Sequence, residues 1–305
     1  MTAWRLVADV GGTNVRFARA VGGVRLAEHR AYPVSKHKDF MAALHAYLDE
    51  TGGAAGCTGA AIGAAGAIDN GKVSLTNAAW EISESEVSAS IGAACTLVND
   101  LQAVAFSLPV LRESDVTVLG AKAPNVVTAR RILTANIGTG FGAATLIRTA
   151  TGWACCPSEA GHMSIAFPDD TLRHEFMSAE HVLSGQGLCN LHAAIAKEPC
   201  SLHPSEVIAQ ANANSHSAEA LRIFTLVAGD VLGNLVLAVA AWDGVYLFGS
   251  VAKSFAKVAD LGLLRQAFEN KGPMTGRMKR IPIALITLED APLAGLATLP
   301  LDTMA

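Results

Sequence analysis

The feature that most restricts how this chain can fold is a repeat. Leu6, Ala8, Asp9, Val10, Gly11 and Thr13 recur as Leu133, Ala135, Asn136, Ile137, Gly138 and Gly140, each pair 127 residues apart. A later turn at Gly22 and Gly23 has its counterpart at Thr151 and Gly152. Self-similarity of this kind means that one supersecondary unit is used twice. In the first copy, apolar strands at 4–10 and 15–20 flank a turn at 11–14, and Gly22 and Gly23 lead into a third strand at 24–32. Strands joined by turns this tight run antiparallel.

Helices and further strands follow. Phe40, Leu44 and Leu48 form an apolar stripe on a helix that Ser35 is expected to cap and that Gly52 and Gly53 stop. A strand near 59–66 precedes a hairpin turned by Asn70 and Gly71. Ser83 and Glu86 read as a capping box opening a helix to Ile91. A buried strand at 94–98 ends at Asn99 and Asp100, before a helix at 101–111 disturbed by Pro109. The pattern predicts an α/β protein of two duplicated lobes with mixed sheets around an interdomain cleft. A length of 305 residues suits this, because one core tends to split near that size.

Composition excludes several classes. Hydrophobic residues make up 51% and charged residues 16%, which rules out disorder by composition. The most apolar stretch, 231–242, is short of the about 20 residues a membrane span needs, and the uncharged run 51–68 is broken by glycines. Net charge is −4, and the short basic cluster Arg277, Met278, Lys279, Arg280 reads as a solvated turn, so neither nucleic acid nor membrane is an expected partner. No charged segment followed by an apolar run opens the chain, and a cytoplasmic protein is expected. Six cysteines without a C-x-x-C pair read as small buried hydrophobes.

The glycine turns carry the first chemical signal. Backbone N–H groups in such turns can converge on phosphate oxygens with no side chain in the way, although an ordinary hairpin explains one turn alone. A matching turn at Gly138, Thr139 and Gly140 strengthens the phosphate reading. Asp9, at the strand end before the first turn, is a candidate to hold Mg²⁺ through water or to serve as a turn residue. Gly138, Gly140 and Ala143 also satisfy a dinucleotide pattern, but the following residues read as a strand, and that pattern requires a helix. A third turn, Gly249 and Ser250, joins an apolar strand at 245–248 to a helix and is a candidate for a nucleotide's adenosine or phosphate end.

Asn99 and Asp100 end a strand, where side chains face a ligand in open α/β sheets. Asp100 is either a helix cap or a proton acceptor for a substrate hydroxyl that Asn99 helps to fix. Glu159 and His162 lie in a loop after the second meander, and Glu180 opens the segment that follows; each has a structural alternative. Without H-E-x-x-H, a zinc quartet or G-x-S-x-G, hydrolytic metal and serine chemistry lack support. Hydroxyl acceptors and phosphate turns together suggest a polyol and a nucleoside triphosphate.

The motifs ADVGGTNVRFA (8–18), TNAAW (76–80), LVNDLQAVA (97–105), GTGFG (138–142), SEAGHMSIAF (158–167), EHVLSGQGLCNL (180–191) and FGSVAKSF (248–255) together resemble the bacterial glucokinase family, hexose kinases of the actin-like ATPase superfamily. The resemblance spans nearly the whole chain. It implies two ribonuclease-H-like lobes, a small one over 1–110 completed by a helix in 291–305 and a large one over 111–290. It implies that Asn99, Asp100, Glu159, His162, Glu180 and Gly138 contact glucose and that Asp100 is the base for the 6-hydroxyl. It assigns Ala8, Asp9, Val10, Gly11, Gly12, Thr13 and Asn14, with Gly138, Thr139 and Gly140, to ATP, and Gly249 and Ser250 to adenosine. Two positions depart from the family pattern: Asn136 with Ile137, and Ser250 where a second glycine is common. The implied activity is ATP- and Mg²⁺-dependent phosphorylation of glucose at its 6-hydroxyl by a homodimer. The alternatives are a kinase for fructose, mannose or an amino sugar, a silent sugar sensor, or an actin-like assembly ATPase.

Overall fold

Alternating apolar residues and tight turns build the same arrangement twice. The computed structural model describes residues 2–75 and 79–299. Contacts divide the chain into Met1–Leu111 with Glu289–Ala305, and Arg112–Leu288. In the first unit, β1 (Trp4–Val10), β2 (Asn14–Val21) and β3 (Arg25–Pro33) form the antiparallel meander. Helix α1 (Phe40–Thr51) leads to β4 (Cys57–Ala64), a small sheet of β5 (Ile68–Asp69), β6 (Lys72–Ser74) and β7 (Glu81–Ser83), helix α2 (Glu84–Ile91), β8 (Cys95–Asn99) and helix α3 (Asp100–Ser107). The main sheet has the order β3-β2-β1-β4-β8, with β1, β4 and β8 parallel. Leu6, Ala8 and Val10 of β1 face a core in which Phe17 stacks on Tyr47 at 5.1 Å, and Val7 on the opposite face is equally buried. A strand covered on both sides must be apolar throughout, as β1 nearly is.

The second unit repeats the plan. After β9 (Val116–Val118), the strands β10 (Arg131–Ile137), β11 (Phe141–Arg148) and β12 (Trp153–Ser158) make the second meander. Helices α4 (Ala179–Val182), α5 (Gly185–Ala196), α6 (Pro204–Ala209) and α7 (Ser215–Val239) precede β13 (Val245–Phe248), α8 (Ser250–Phe255), α9 (Leu261–Glu269), α10 (Thr275–Met278) and β14 (Ile283–Ile286). The order is β12-β11-β10-β13-β14-β9, with β10, β13 and β14 parallel. Because β10 and β11 are antiparallel neighbours joined by the 138–140 turn, the dinucleotide pattern lacks its helix. The repeat slips by one residue here: Val10 pairs with Val15 across four residues, Ile137 with Phe141 across three.

Several local expectations are corrected. Asp39, not Ser35, caps α1, its carboxylate accepting the Ala42 N–H at 2.8 Å, while Ser35 sits in a short 3₁₀ turn. Ser83 precedes α2 but makes no capping bond, its hydroxyl meeting Ser85 at 2.8 Å instead. The apolar stretch at 231–242 covers the last turns of the much longer α7, which ends at Val239, and the three residues after it. That helix has 25 residues, and its most apolar 18 have a mean hydropathy of 1.7, enough by length and composition to cross a membrane, yet 61% of that stretch is buried inside the protein. Asp230 within it is ion-paired with Lys271. The six cysteines are free, and Cys156 on β12 is exposed rather than buried. Thr76, Asn77 and Ala78 of the TNAAW motif lie outside the described residues.

The chain re-enters the first unit as α11 (Ala291–Thr298), which packs on α3 and β1. Gly295 is the contact point: a Cβ there would overlap the Ala103 carbonyl oxygen and stand 2.7 Å from the Ser107 nitrogen. Backbone cannot yield as a flexible side chain can. Gly295→Ala therefore lowers stability by about 1–3 kcal/mol or more, read as a shifted denaturant midpoint. An unchanged midpoint contradicts this packing argument.

Candidate active site

Parallel pairing sets what gathers at one sheet edge. In the first unit Val10 pairs with Ala64 and Ala64 with Asn99, so the 11–14 turn and the start of α3 lie at the carboxyl ends of neighbouring strands. Gly11 N–H closes the first turn on Asn14 O at 3.0 Å, leaving Gly12, Thr13 and Asn14 exposed. Asn99, rather than Asp100, is the helix cap. Its Oδ1 accepts the Leu101 N–H at 2.9 Å, and its own N–H donates to Gln102 Oε1 at 3.1 Å. Asp100 is the first helical residue, and its Oδ1 also accepts from Leu101 at 2.9 Å.

Burial pushes the Asp100 carboxyl up, the negative charge of Asp9 adds to the effect, and backbone N–H groups of Leu101 and Asp100 partly offset it; the result is about 6, against an ordinary 3.8. Burial also raises Asp9, while Arg16 opposes it. Arg16 lies directly across from Asp9 on β2, contacts it through Nη2 and donates Nε to Asp9 Oδ2 at 3.1 Å. The same guanidinium reaches Glu289 O at 3.0 Å and Asp290 Oδ1 at 3.5 Å.

In the second unit Glu180, in the first turn of α4, accepts the Phe141 N–H at 2.8 Å. The 138–140 turn is thereby held from three sides: Gly138 N–H to Gly140 O at 3.0 Å, Glu180 on Phe141, and Gly185 N–H to Gly138 O at 2.8 Å. A Cβ on Gly140 would overlap Glu180 Oε2, and one on Gly161 would overlap the Phe141 carbonyl. These glycines are needed for close approach and not for unusual backbone: none of Gly11, Gly12, Gly138 and Gly140 has a left-handed φ. Glu159 and His162 flank a short 3₁₀ turn seated on β11 and α4, both exposed. The structure thus groups Glu159, His162 and Glu180 around the second glycine turn.

The third turn joins the second. Asn136 pairs with Phe248, and Gly249, at φ 108°, has no room for a Cβ against Asn136 Oδ1 and Ile137 O. Ser250 is the first residue of α8 and needs no left-handed φ, so its departure from the family pattern costs the turn nothing. A cavity of about 350 Å³ is lined by Gly138, Thr139, Gly185, Pro204 and Ser250, among others. Helices α5 and α6 both begin at its wall and turn the positive ends of their dipoles toward it, while most of their first-turn N–H groups are already taken, Gly185 by Gly138 O, Gly187 by Ser184 Oγ and Ser205 by His203 Nδ1.

Sequence reading overlooked Gly185, Gln186, His203, Pro204 and Ser205 on this wall. The signal was present in His203-Pro204-Ser205-Glu206, with proline at the first helical position and a glutamate three residues after the cap, which the structure forms as a capping box. Among the described residues no group of three or more His, Cys, Asp or Glu side chains is arranged to hold a metal ion. Asp9 nonetheless suits Mg²⁺, a hard cation often held by one or two carboxylates together with substrate phosphates, and both Arg16 hydrogen bonds to it end on Oδ2.

Comparison with known proteins agrees with this architecture. The family model described as Glucokinase matches residues 6–302. A glucokinase of Nitrobacter hamburgensis is 34% identical over 99% of this chain and 98% of its own. The crystal structure of a glucokinase from an Antarctic psychrotroph superposes with a TM-score of 0.81 at 27% identity, covering 98% of both chains. A ROK family glucokinase from Streptomyces griseus, solved in complex with glucose and AMPPNP, gives 0.64 at 18% identity over 97% of this chain and 98% of its own. The chain has the actin-like ATPase fold and belongs to the glucokinase family.

Proposed function

We propose that this protein transfers the γ-phosphoryl group of ATP to the 6-hydroxyl of glucose, with Asp100 as general base. The observation that carries the reading is the place of the Asp100 carboxyl, at the amino end of α3 near Asp9, where desolvation and the neighbouring negative charge push it up to about 6. A base poised near neutral pH is ionised when the enzyme works yet still basic enough to take a hydroxyl proton. Asn99 fixes the neighbouring hydroxyl, and Glu159, His162, Glu180 and Gly138 are assigned to the remaining sugar contacts. Because Glu180 also holds Phe141, one carboxylate serves the sugar and the phosphate turn.

ATP is assigned to the cavity of Gly138, Thr139 and Ser250 and to Ala8, Asp9, Val10, Gly11, Gly12, Thr13, Asn14, Gly140 and Gly249. Support comes from the helix starts at its wall and from the AMPPNP in the Streptomyces relative. Phosphoryl transfer needs positioning and charge stabilisation more than covalent chemistry, which suits backbone cradles. When bound, Mg²⁺ neutralises phosphate charge, and Asp9 is the residue that would hold it through water. A cytoplasmic homodimer is part of this proposal. A coupled assay across sugars and phosphoryl donors tests it: preferred use of glucose with ATP supports it, and absence of transfer to any sugar refutes it.

The geometry sets the following outcomes. Asp100→Asn lowers kcat by about 10²–10⁴-fold with the fold intact by circular dichroism; near-normal turnover removes Asp100 from the chemistry. The rate falls as pH drops through about 6, where Asp100 takes up its proton. The folded chain holds that proton between its ordinary value and 6, so the stability it contributes is full below the lower value and lost as pH rises through 6. Asp9→Asn removes a negative neighbour and moves the acid limb of the kcat/KM profile for glucose to lower pH; an unmoved limb denies the coupling. Gly249→Ala, with no space for the new methyl, raises KM for ATP severalfold while KM for glucose changes little in steady-state kinetics.

A further inference from the structure

The basic cluster near residue 280 is unexplained by the proposed reaction. Lys279 and Arg280 line a second cavity, of about 370 Å³, with Lys122 from the segment after β9 and Arg265 and Glu269 from α9. From this we infer that the cavity is a binding site for a small phosphate-bearing organic anion, separate from the nucleotide cavity. It sits at the amino ends of β13 and β14, since Leu119 N–H bonds Ile283 O and Ile283 pairs with Val245. The nucleotide cavity lies past the carboxyl end of β13, so the two are apart by a strand length, roughly 13 Å.

Charge and wiring carry the argument. The chain as a whole is acidic at −4, so cations left unpaired in a concavity are not background. Lys122, Lys279 and Arg280 form no ion pair among the described residues. Glu269, the one acid on the wall, is taken by Arg265 Nε at 2.9 Å. Arg265 also donates to Ile281 O at 2.8 Å and Lys279 O at 3.3 Å, and so holds the cation-bearing loop in place. The N–H groups of Gly120, Ala121 and Lys122 make no hydrogen bond to another described residue. Three free positive charges and a row of free amides suit a phosphate monoester, which carries about −1.5 to −2 near pH 7. Arg280 supplies a guanidinium fork and the lysines supply point charges. The floor is apolar, with Leu119 and Ile281 2% exposed and Ile283 1% exposed, and this suits the carbon body of an organic ester better than inorganic phosphate.

The test uses phenyl phosphate as probe, by calorimetry, on the whole protein with glucose and AMPPNP present so that the reaction site is filled. Saturable binding is expected, weakened roughly tenfold or more in Lys279→Glu/Arg280→Glu and, on a separate segment, in Lys122→Glu. These exposed positions lie outside the proposed reaction site, so kcat and both KM values stay at the wild-type level in phosphate-free buffer, which also reports that the variants fold. No saturable binding by the wild type, or equal affinity in both variants, overturns the site. Inorganic phosphate binding as tightly as phenyl phosphate overturns the assignment of an organic body to the apolar floor.

Discussion

Everything chemical in this chain depends on parallel strand pairing at the centre of each sheet. Parallel register brings carboxyl ends to one edge, and in both units the glycine turns leave from those ends. Val10, Ala64 and Asn99 are successive partners in the first sheet, and Asn136 faces Phe248 in the second. A shift of one residue in either register would turn every core side chain to the wrong face, so burial of the apolar faces holds the turns in place.

Within that frame, acidic groups are crowded and then restrained. Burial raises both Asp9 and Asp100, and the negative charge of Asp9 adds to the cost of ionising Asp100 as that of Asp290 adds to the cost of ionising Asp9. Arg16 relieves part of this from the adjacent strand and ties the first turn to Glu289 and Asp290, where the chain returns to its first unit. Helix α11, fitted against α3 at a glycine, braces the helix on which Asp100 stands. The second unit uses hydrogen bonds for the same purpose, with Glu180 and Gly185 fastening the glycine turn.

Much of this was legible in the residues. The Leu-Val-Asn-Asp-Leu-Gln stretch announced a strand ending at a helix start, and only the identity of the cap was misjudged. Both Asn99 and Asp100 are good caps, and which one closes the helix depends on where the strand ladder stops. Ser35 and Ser83 had the right chemistry for capping but the wrong place or partner, because a hydroxyl bonds whatever folding brings nearest. Glycine was expected at the phosphate turns so that no side chain would stand in front of their N–H groups; the structure adds that Glu180 of α4 leaves no room for a methyl on Gly140, and the Phe141 carbonyl of β11 none on Gly161.

The residues alone determined the duplicated strand grammar, the helix starts and stops, the rejection of a dinucleotide loop and the family motifs, since each of these is written in neighbouring positions or in a repeat. Tertiary structure alone decided that the second and third glycine turns share a cavity with the starts of α5 and α6, that Asp100 titrates near 6, and that Lys122 meets Lys279 and Arg280. The physical reason is common to all three. Desolvation and charge coupling depend on what lies within a few ångströms in space, and residues many tens of positions apart become neighbours only when the chain is packed.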